Sequence, residues 1–291
     1  MRHPITSKIL MSLPAWETTA LLVALVAWLM NVPVCTAQEL RVYTTVRDIR
    51  LDQTDKAPVV ARSLTLFHAG KAYDFIEGAQ EVTIFEPSLK RFTILALSRG
   101  LMTDVTQDEI RHFLSLAEAE AQKVISGLER QETASSRAAA SSLSFQLSPT
   151  FTTEFQEAAG ILTLRSGGVH YNVKVSGAPS SELVESYLRF ADSTAQLNSV
   201  LYPRALLPAP RLLVNEQLRA RSLMPLAVEL QITDGQPIRW RAEHEIAYKF
   251  AKLDREYIHH WESKIQNGTL KSLPFRQFQQ EHLGNISTSR R

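Results

Sequence analysis

Short runs in which apolar and polar residues alternate, separated by turn sequences, recur through most of the chain from residue 40 onward. Successive side chains of a strand point to opposite faces of its sheet, so alternation with a period of two indicates strands with one buried face. In the first half, a β-rich run at 40–49 precedes shorter runs at 63–67, 72–76, 81–85 and 91–97. Short runs joined by turns that contain Gly or Pro predict an antiparallel meander.

The second half of the chain repeats this pattern. Further alternating or β-rich runs lie at 143–147, 151–155, 161–164 and 169–175. Near the end, alternation is clearest at Leu226, Val228, Leu230 and Ile232. A turn at Asp234-Gly235 follows, and alternation resumes over 238–250. An Asp-Gly pair between two alternating runs predicts a β-hairpin, and its second strand is long enough that it must curve or carry a bulge.

Amphipathic helices are predicted between these runs. Thr106 and Glu109 form a capping box, and an apolar stripe continues from there to Leu128. Further helices are predicted at 180–201, at 212–221 and at 251–266, the last packing through Leu253, Tyr257, Trp261 and Ile265. The predicted fold class is α+β: a curved antiparallel sheet of meander and hairpins, covered on one side by two or three amphipathic helices. The other face of the sheet is then either exposed to solvent or binds a ligand.

The domain organisation depends on the segment 131–142, which is polar and rich in Ser and Ala. Such a composition is typical of a flexible linker, and equally of a frayed helix end followed by a surface loop. We expect one α+β domain over 38–270, with 131–142 as a candidate internal boundary. The polar residues 271–291 are predicted to form a loose C-terminal tail.

The N-terminus has the pattern of a secretory signal peptide. Arg2, His3 and Lys8 precede an apolar run at 20–30, and Cys35-Thr36-Ala37 supplies small residues where a signal peptidase cuts. The apolar run is shorter than the roughly 20 residues of a spanning helix. We predict export to the periplasm or the medium with cleavage after Ala37, and a retained anchor is the alternative. Cys35 is interpreted as the small residue at position −3, since the Val34 before it does not suit lipidation.

Composition excludes several function classes. The only cysteine is Cys35, so residues 38–291 cannot form a disulfide. With 32 basic and 30 acidic residues, the chain has no strong basic field, and neither nucleic acid nor a nucleotide is an expected partner. None of the common catalytic or phosphate-binding motifs is present in the sequence. His259 and His260 are adjacent and diverge on a helix. We therefore assign no catalytic residue, no metal site and no cofactor.

Three residues of the last long strand are candidate ligand-binding residues. Trp240, His244 and Tyr248 fall on the apolar side of the alternating run 238–250. A histidine in such a row is usually a core residue with locally satisfied nitrogens. The alternative is a polar group that orients an apolar guest in a cavity.

Parts of the chain resemble other proteins. The stretches Gly70-Lys-Ala-Tyr-Asp74, Glu81-Val-Thr-Ile-Phe-Glu-Pro87 and the segment that begins Pro210-Arg-Leu-Leu are similar to uncharacterised secreted bacterial proteins. This resemblance implies export and carries no catalytic residue. The succession of strands also resembles the curved half-barrel of periplasmic lipoprotein carriers of the LolA type, although no helix precedes the first strands here. That resemblance implies an apolar concave surface that holds acyl chains.

These observations lead to one preferred hypothesis and two alternatives. The preferred one is an exported, non-enzymatic envelope protein that binds a lipid, another apolar small molecule or an envelope component through its sheet. The alternatives are an exported enzyme with a dispersed site and a structural or scaffolding envelope protein.

Overall fold

The computed structural model describes residues 39–51, 56–202, 205–233 and 237–288, with backbone alone from 282 onward. The predicted signal peptide at 1–37 and the Asp234-Gly235 turn lie outside the described residues. No helix within the described ranges is long and apolar enough to span a membrane.

Strands and helices alternate in blocks along the chain. The strands are β1 (Leu40–Asp48), β2 (Val59–His68), β3 (Lys71–Ile76), β4 (Glu81–Glu86), β5 (Arg91–Ala96), β6 (Leu101–Thr106), β7 (Thr152–Gln156), β8 (Ile161–Arg165), β9 (Val169–Gly177), β10 (Leu223–Ile232), β11 (Ile238–Ala247) and β12 (Lys271–Ser272). The helices are α1 (Gln107–Glu129), α2 (Ala134–Leu147), α3 (Ser181–Leu201), α4 (Ala209–Ala220), α5 (Lys252–Gln266) and α6 (Phe275–Thr288).

All twelve strands belong to one open sheet in the order β12-β6-β5-β4-β3-β2-β1-β11-β10-β9-β8-β7. Every neighbouring pair is antiparallel except β12 with β6, which is parallel. The predicted α+β class with a curved antiparallel sheet is confirmed. The first strand, β1, lies in the middle of the sheet, where it joins the meander β2–β6 to the second half of the chain.

One face of the sheet, here called the inner face, carries the larger core. Leu40 and Phe67 of this face pack with Val184 and Leu188 of α3, and residues of α1, α4 and α6 belong to the same cluster. Ring contacts tie the layers together, as in the edge-on contact of Phe67 with Phe190 at 5.6 Å. The alternating residues of the strands thus meet the apolar stripes of four helices, which is how both kinds of element bury their apolar side.

Helix α5 packs on the opposite face, so the expectation that all helices cover one side is wrong. Its Ile258 and Trp261 are buried against Leu66 and Tyr73, which point away from the inner face. The predicted contact residues Leu253 and Tyr257 are instead 57% and 44% exposed. The opposite face is consequently packed over β2–β5 and polar over β9–β11.

Polar contacts explain the orientation of α5. Buried Asp254 accepts hydrogen bonds from the Ala251 amide at 2.7 Å and from Arg41 Nε at 3.4 Å. Near the other end, Glu262 accepts from the Tyr73 hydroxyl at 2.5 Å and from Lys71 Nζ at 3.1 Å. Because charge-assisted bonds are among the stronger ones, they fix which side of α5 meets the sheet. The apolar spacing alone does not decide this.

The segment around 131–147 differs from its prediction. It is neither a linker nor a frayed end followed by a loop, and 143–147 is not a strand, because α2 runs through the whole segment from Ala134. Thr133 and Ser136 form a reciprocal capping box at its start. The alternating Phe145 lies at the end of this helix and meets Phe151 edge-on at 5.2 Å. The described residues from 39 to 288 form one compact unit.

The prediction of a loose tail is wrong for residues 271–281. Strand β12 pairs with β6, with Lys271 N donating to Gly100 O at 2.8 Å and Leu273 N to Met102 O at 2.9 Å. Helix α6 then buries Phe275 and Phe278 in the core of the inner face. Phe275 and Phe278 are three positions apart, a spacing that places both on one side of a helix. The polar residues between them obscure this pattern in the sequence. The partner strand β6 was itself absent from the sequence prediction.

Phe278 therefore provides a test of the packed C-terminus. Its side chain is fully buried, so Phe278→Ala should lower the free energy of unfolding by about 3–5 kcal/mol. The exposed neighbour in Gln277→Ala is the control and should change it by less than about 0.5 kcal/mol. Urea unfolding of the full-length protein measures both values. Equal stabilities of the two variants would contradict the buried position of α6.

Candidate ligand-binding site

A cavity of about 360 Å³ lies on the inner face, between strands β1 and β9–β11 and helices α3 and α4. Its walls are mostly apolar, and Val46, Leu206, Leu207, Val228 and Leu230 contribute to them. A second space of about 160 Å³ shares Tyr171 and Leu206 with this cavity and continues toward Phe145, Ile232 and Ile238. The two spaces thus adjoin at Tyr171 and Leu206, beside the start of α4.

Strand register decides which side chains enter this space. His244 lies opposite Thr44 and Ala242 opposite Val46 in the β1–β11 pair, while Leu230 of β10 lies opposite Trp240. Directly opposed residues share a face, so the even-numbered side chains of β11 point toward α3 and α4. The odd-numbered residues of β11, such as Arg241 and Glu243, lie on the opposite face.

His244 is the most unusual side chain of the cavity. Its Nδ1 lies 2.9 Å from Thr44 Oγ1, and its ring meets the edge of Tyr187 at 6.3 Å. Nε2 is shielded from solvent and has no hydrogen-bond partner within the described residues. Burial, and then the positive charge of Arg211, lowers the pKa of His244 to about 4. The imidazole is therefore neutral at pH 7 and presents one unsatisfied nitrogen.

Arg211, in the first turn of α4, supplies the only charged side chain of the cavity wall in the part of the chain that the structure describes. No hydrogen bond or ion pair of its guanidinium is found there. Another cleft, between β3 and α3, is also lined by cations, but these have acidic partners. There Lys71 pairs with Glu86 at 3.3 Å and Arg189 with Glu185 at 3.5 Å. Arg211 is thus a cation that faces an apolar space without a counterion from the described residues.

The three predicted site residues separate in the structure. Trp240, which is 40% exposed, and His244 both line the cavity. Tyr248 does not line it, and β11 ends at Ala247 and not at residue 250 as predicted. It packs at the border of the core instead, where burial raises its pKa.

Sequence reasoning missed Tyr171, Asn198 and Arg211, which complete the polar part of the lining. One feature of the sequence could have drawn attention to Arg211. The first turn of a helix usually attracts acidic residues, whereas α4 has none there and begins after Pro208, which has no side chain to cap it. Tyr171 and Asn198 lie on ordinary apolar stripes, and nothing in their spacing marks them.

A row of polar side chains continues from His244 beneath the helices. Thr44 lies beside Ser63 across the β1–β2 pair, and in the next pair the Thr65 hydroxyl donates to Asp74 Oδ1 at 2.6 Å. Burial raises the pKa of Asp74 despite its bonds to Thr65 and Ser63. The hydroxyls of Thr65 and Ser63 and the carboxyl of Asp74 thus satisfy one another, whereas His244 Nε2 has no partner within the described residues.

Within the described ranges, no group of three or more His, Cys, Asp and Glu side chains is arranged to hold a metal ion. His259 and His260 are both exposed on α5.

Comparison with known proteins provides no assignment. No protein-family model matches the chain. No curated protein matches its sequence with statistical significance.

The low pKa of His244 predicts a pH-dependent loss of stability. Between pH 6.5 and 4 the unfolded chain binds a proton at this residue that the folded chain does not, so stability falls as the pH falls through this range. From pH 7 to pH 4.5, the wild type should lose about 2 kcal/mol more unfolding free energy than His244→Gln. Urea titrations at both pH values measure this difference.

The control for this experiment is His112→Gln, which removes an exposed histidine. This variant should keep the full pH dependence of the wild type. If His244→Gln loses as much unfolding free energy between pH 7 and pH 4.5 as the wild type does, the buried, neutral state of His244 is refuted.

Proposed function

We propose that this protein is an exported binding protein that holds an apolar small molecule or lipid in the cavity beneath α4. The observation that carries the proposal is a mostly apolar space of about 360 Å³ that is lined by His244, whose Nε2 is buried and has no hydrogen-bond partner in the described residues. Small-molecule sites are typically concave, mostly apolar and equipped with a few polar groups that set orientation. The half-exposed ring of Trp240 gives the ligand an aromatic surface at the rim.

The state of His244 favours binding over catalysis by a general base. A base whose conjugate acid has a pKa of about 4 accepts protons weakly at neutral pH. Thr44 holds the ring in one orientation, which suits recognition of a fixed partner atom. An enzyme with a dispersed site remains an alternative function. It predicts turnover of a substrate that is lost in His244→Gln.

Filling the cavity tests the proposal. Ala242 faces the cavity, and a leucine in its place should occupy ligand space without forcing a packed core apart. Ala242→Leu should weaken binding of the neutral apolar fluorophore N-phenylnaphthylamine by about tenfold or more, while the unfolding free energy stays within about 1 kcal/mol of the wild type. Fluorescence titration of the full-length protein measures the affinity.

Ala139→Leu, on the exposed side of α2, is the matched control and should bind like the wild type. Mass spectrometry of extracts from the purified protein provides a second measurement, because a carrier should retain lipid from its host. Absence of both fluorophore binding and retained lipid would refute a ligand-binding role and favour a structural one.

Export is a separate part of the proposal, supported by the charged, apolar and small-residue pattern of 1–37. Expression of the full chain in a bacterial host should yield protein in the periplasm whose N-terminal sequence begins at Gln38. Edman sequencing of the fractionated protein checks this. A chain recovered from the membrane with residues 1–37 intact would favour a retained anchor, and one recovered from the cytoplasm would contradict export.

A further inference from the structure

We infer that the ligand is a single-chain amphiphile with one carboxylate head group, held by Arg211 with His244 as a second hydrogen-bond donor. This inference rests on the proposed function and specifies the chemical class of its ligand. It has three supports: the charge of the cavity, the hydrogen-bonding capacity of its polar end, and the shape of the apolar remainder.

The first support is charge. Arg211 is the only charged side chain that lines the cavity within the described residues, and no ion pair satisfies it there. A guanidinium keeps its proton at any physiological pH, so a partly buried one is costly unless an anion lies beside it. Its charge acts on the buried rings around it, opposing the rise in pKa that burial causes for Tyr171 and Tyr187. Arg211 therefore lines the site as a cation without a counterion among the described residues.

The start of α4 adds to this positive potential. Its first turn has no acidic residue and no capping side chain, so the backbone amides at this end lack the usual negative partner. Leu206, Leu207 and Pro208, which lead into the helix, belong to the cavity wall. The positive end of the helix dipole and the Arg211 side chain thus both lie beside the cavity, which favours an anion there.

The second support is the hydrogen-bonding capacity of His244. When the Thr44 hydroxyl donates to Nδ1 across their 2.9 Å separation, the proton of the neutral ring resides on Nε2. The Nε2–H group is then a hydrogen-bond donor for which the described residues supply no acceptor. A carboxylate has two oxygens, one for the guanidinium and one for this N–H. Because the imidazole is neutral, the site offers a single positive charge, which matches a carboxylate better than a phosphate monoester.

The third support is the apolar remainder. Val228, Leu230 and Trp240 belong to the apolar part of the cavity wall, and an adjoining space of about 160 Å³ that shares Tyr171 with it is bordered by Phe145 and Ile238. Apolar space of this volume suits one alkyl chain. The combination of one charge and one apolar tail describes a fatty acid or a similar carboxylate amphiphile.

The test compares ligands that share a chain and differ in the head group. Calorimetric titration of the delipidated, full-length protein with dodecanoate, dodecanol and dodecyl phosphate measures three affinities. We expect dodecanoate to bind about tenfold or more tightly than dodecanol, and more tightly than dodecyl phosphate. Arg211→Gln should remove the preference for dodecanoate and leave the affinity for dodecanol unchanged, whereas Arg211→Lys should keep most of it.

Arg239→Gln is the matched control, because it removes the same charge from the face of β11 that points away from the cavity. It should retain the full preference. Equal affinities for dodecanoate and dodecanol in the wild type would overturn the inference while the apolar binding site stands. Tighter binding of dodecyl phosphate would overturn the choice of carboxylate. Binding of none of the three ligands would refute the proposed function itself.

Discussion

The hydrogen-bonded pairing of β1 with β11 is the interaction on which the rest of the structure depends. Eight residue pairs, from Arg41 with Ala247 to Asp48 with Trp240, join the first strand of the sheet to one about two hundred residues later. Without this ladder the meander β2–β6 and the strands β7–β11 would be two separate sheets, each with an unprotected edge. Such a non-local pairing forms only after a long loop closes, which costs chain entropy before any contact repays it.

The same ladder creates the candidate site. Opposed residues in an antiparallel pair share a face, so this register places Thr44 beside His244 and puts Trp240 on the same side. A shift of β11 by one residue would turn Trp240 and His244 toward the polar face, while Thr44 of β1 would stay on the inner face. The site is therefore a consequence of register, and helices α3 and α4 complete it by closing the apolar space above the strands. Arg211 belongs to α4, which is separated from β11 in the sequence by strand β10.

Local sequence patterns predicted the positions of strands and helices better than they predicted which of these elements pack against each other. The meander, the terminal hairpin and helices α1, α3 and α5 follow from periodicity and capping signals that lie within a few residues. The errors fall where tertiary contacts override such patterns. Phe145 alternates like a strand but lies in a helix, Leu253 and Tyr257 are exposed because Asp254 and Glu262 turn α5, and α6 is held by a core that its own polar sequence does not suggest.

For the candidate site, the sequence by itself determined that Trp240 and His244 share one side of a strand, since side chains alternate with a period of two. It also determined the class of the fold, because alternating runs and apolar stripes must each bury one face. Only the tertiary structure decided that these two residues line a cavity, that Tyr248 does not, and that Arg211 and Tyr171 complete the lining. Such proximity depends on how distant segments pack, and no local spacing encodes the distance between them.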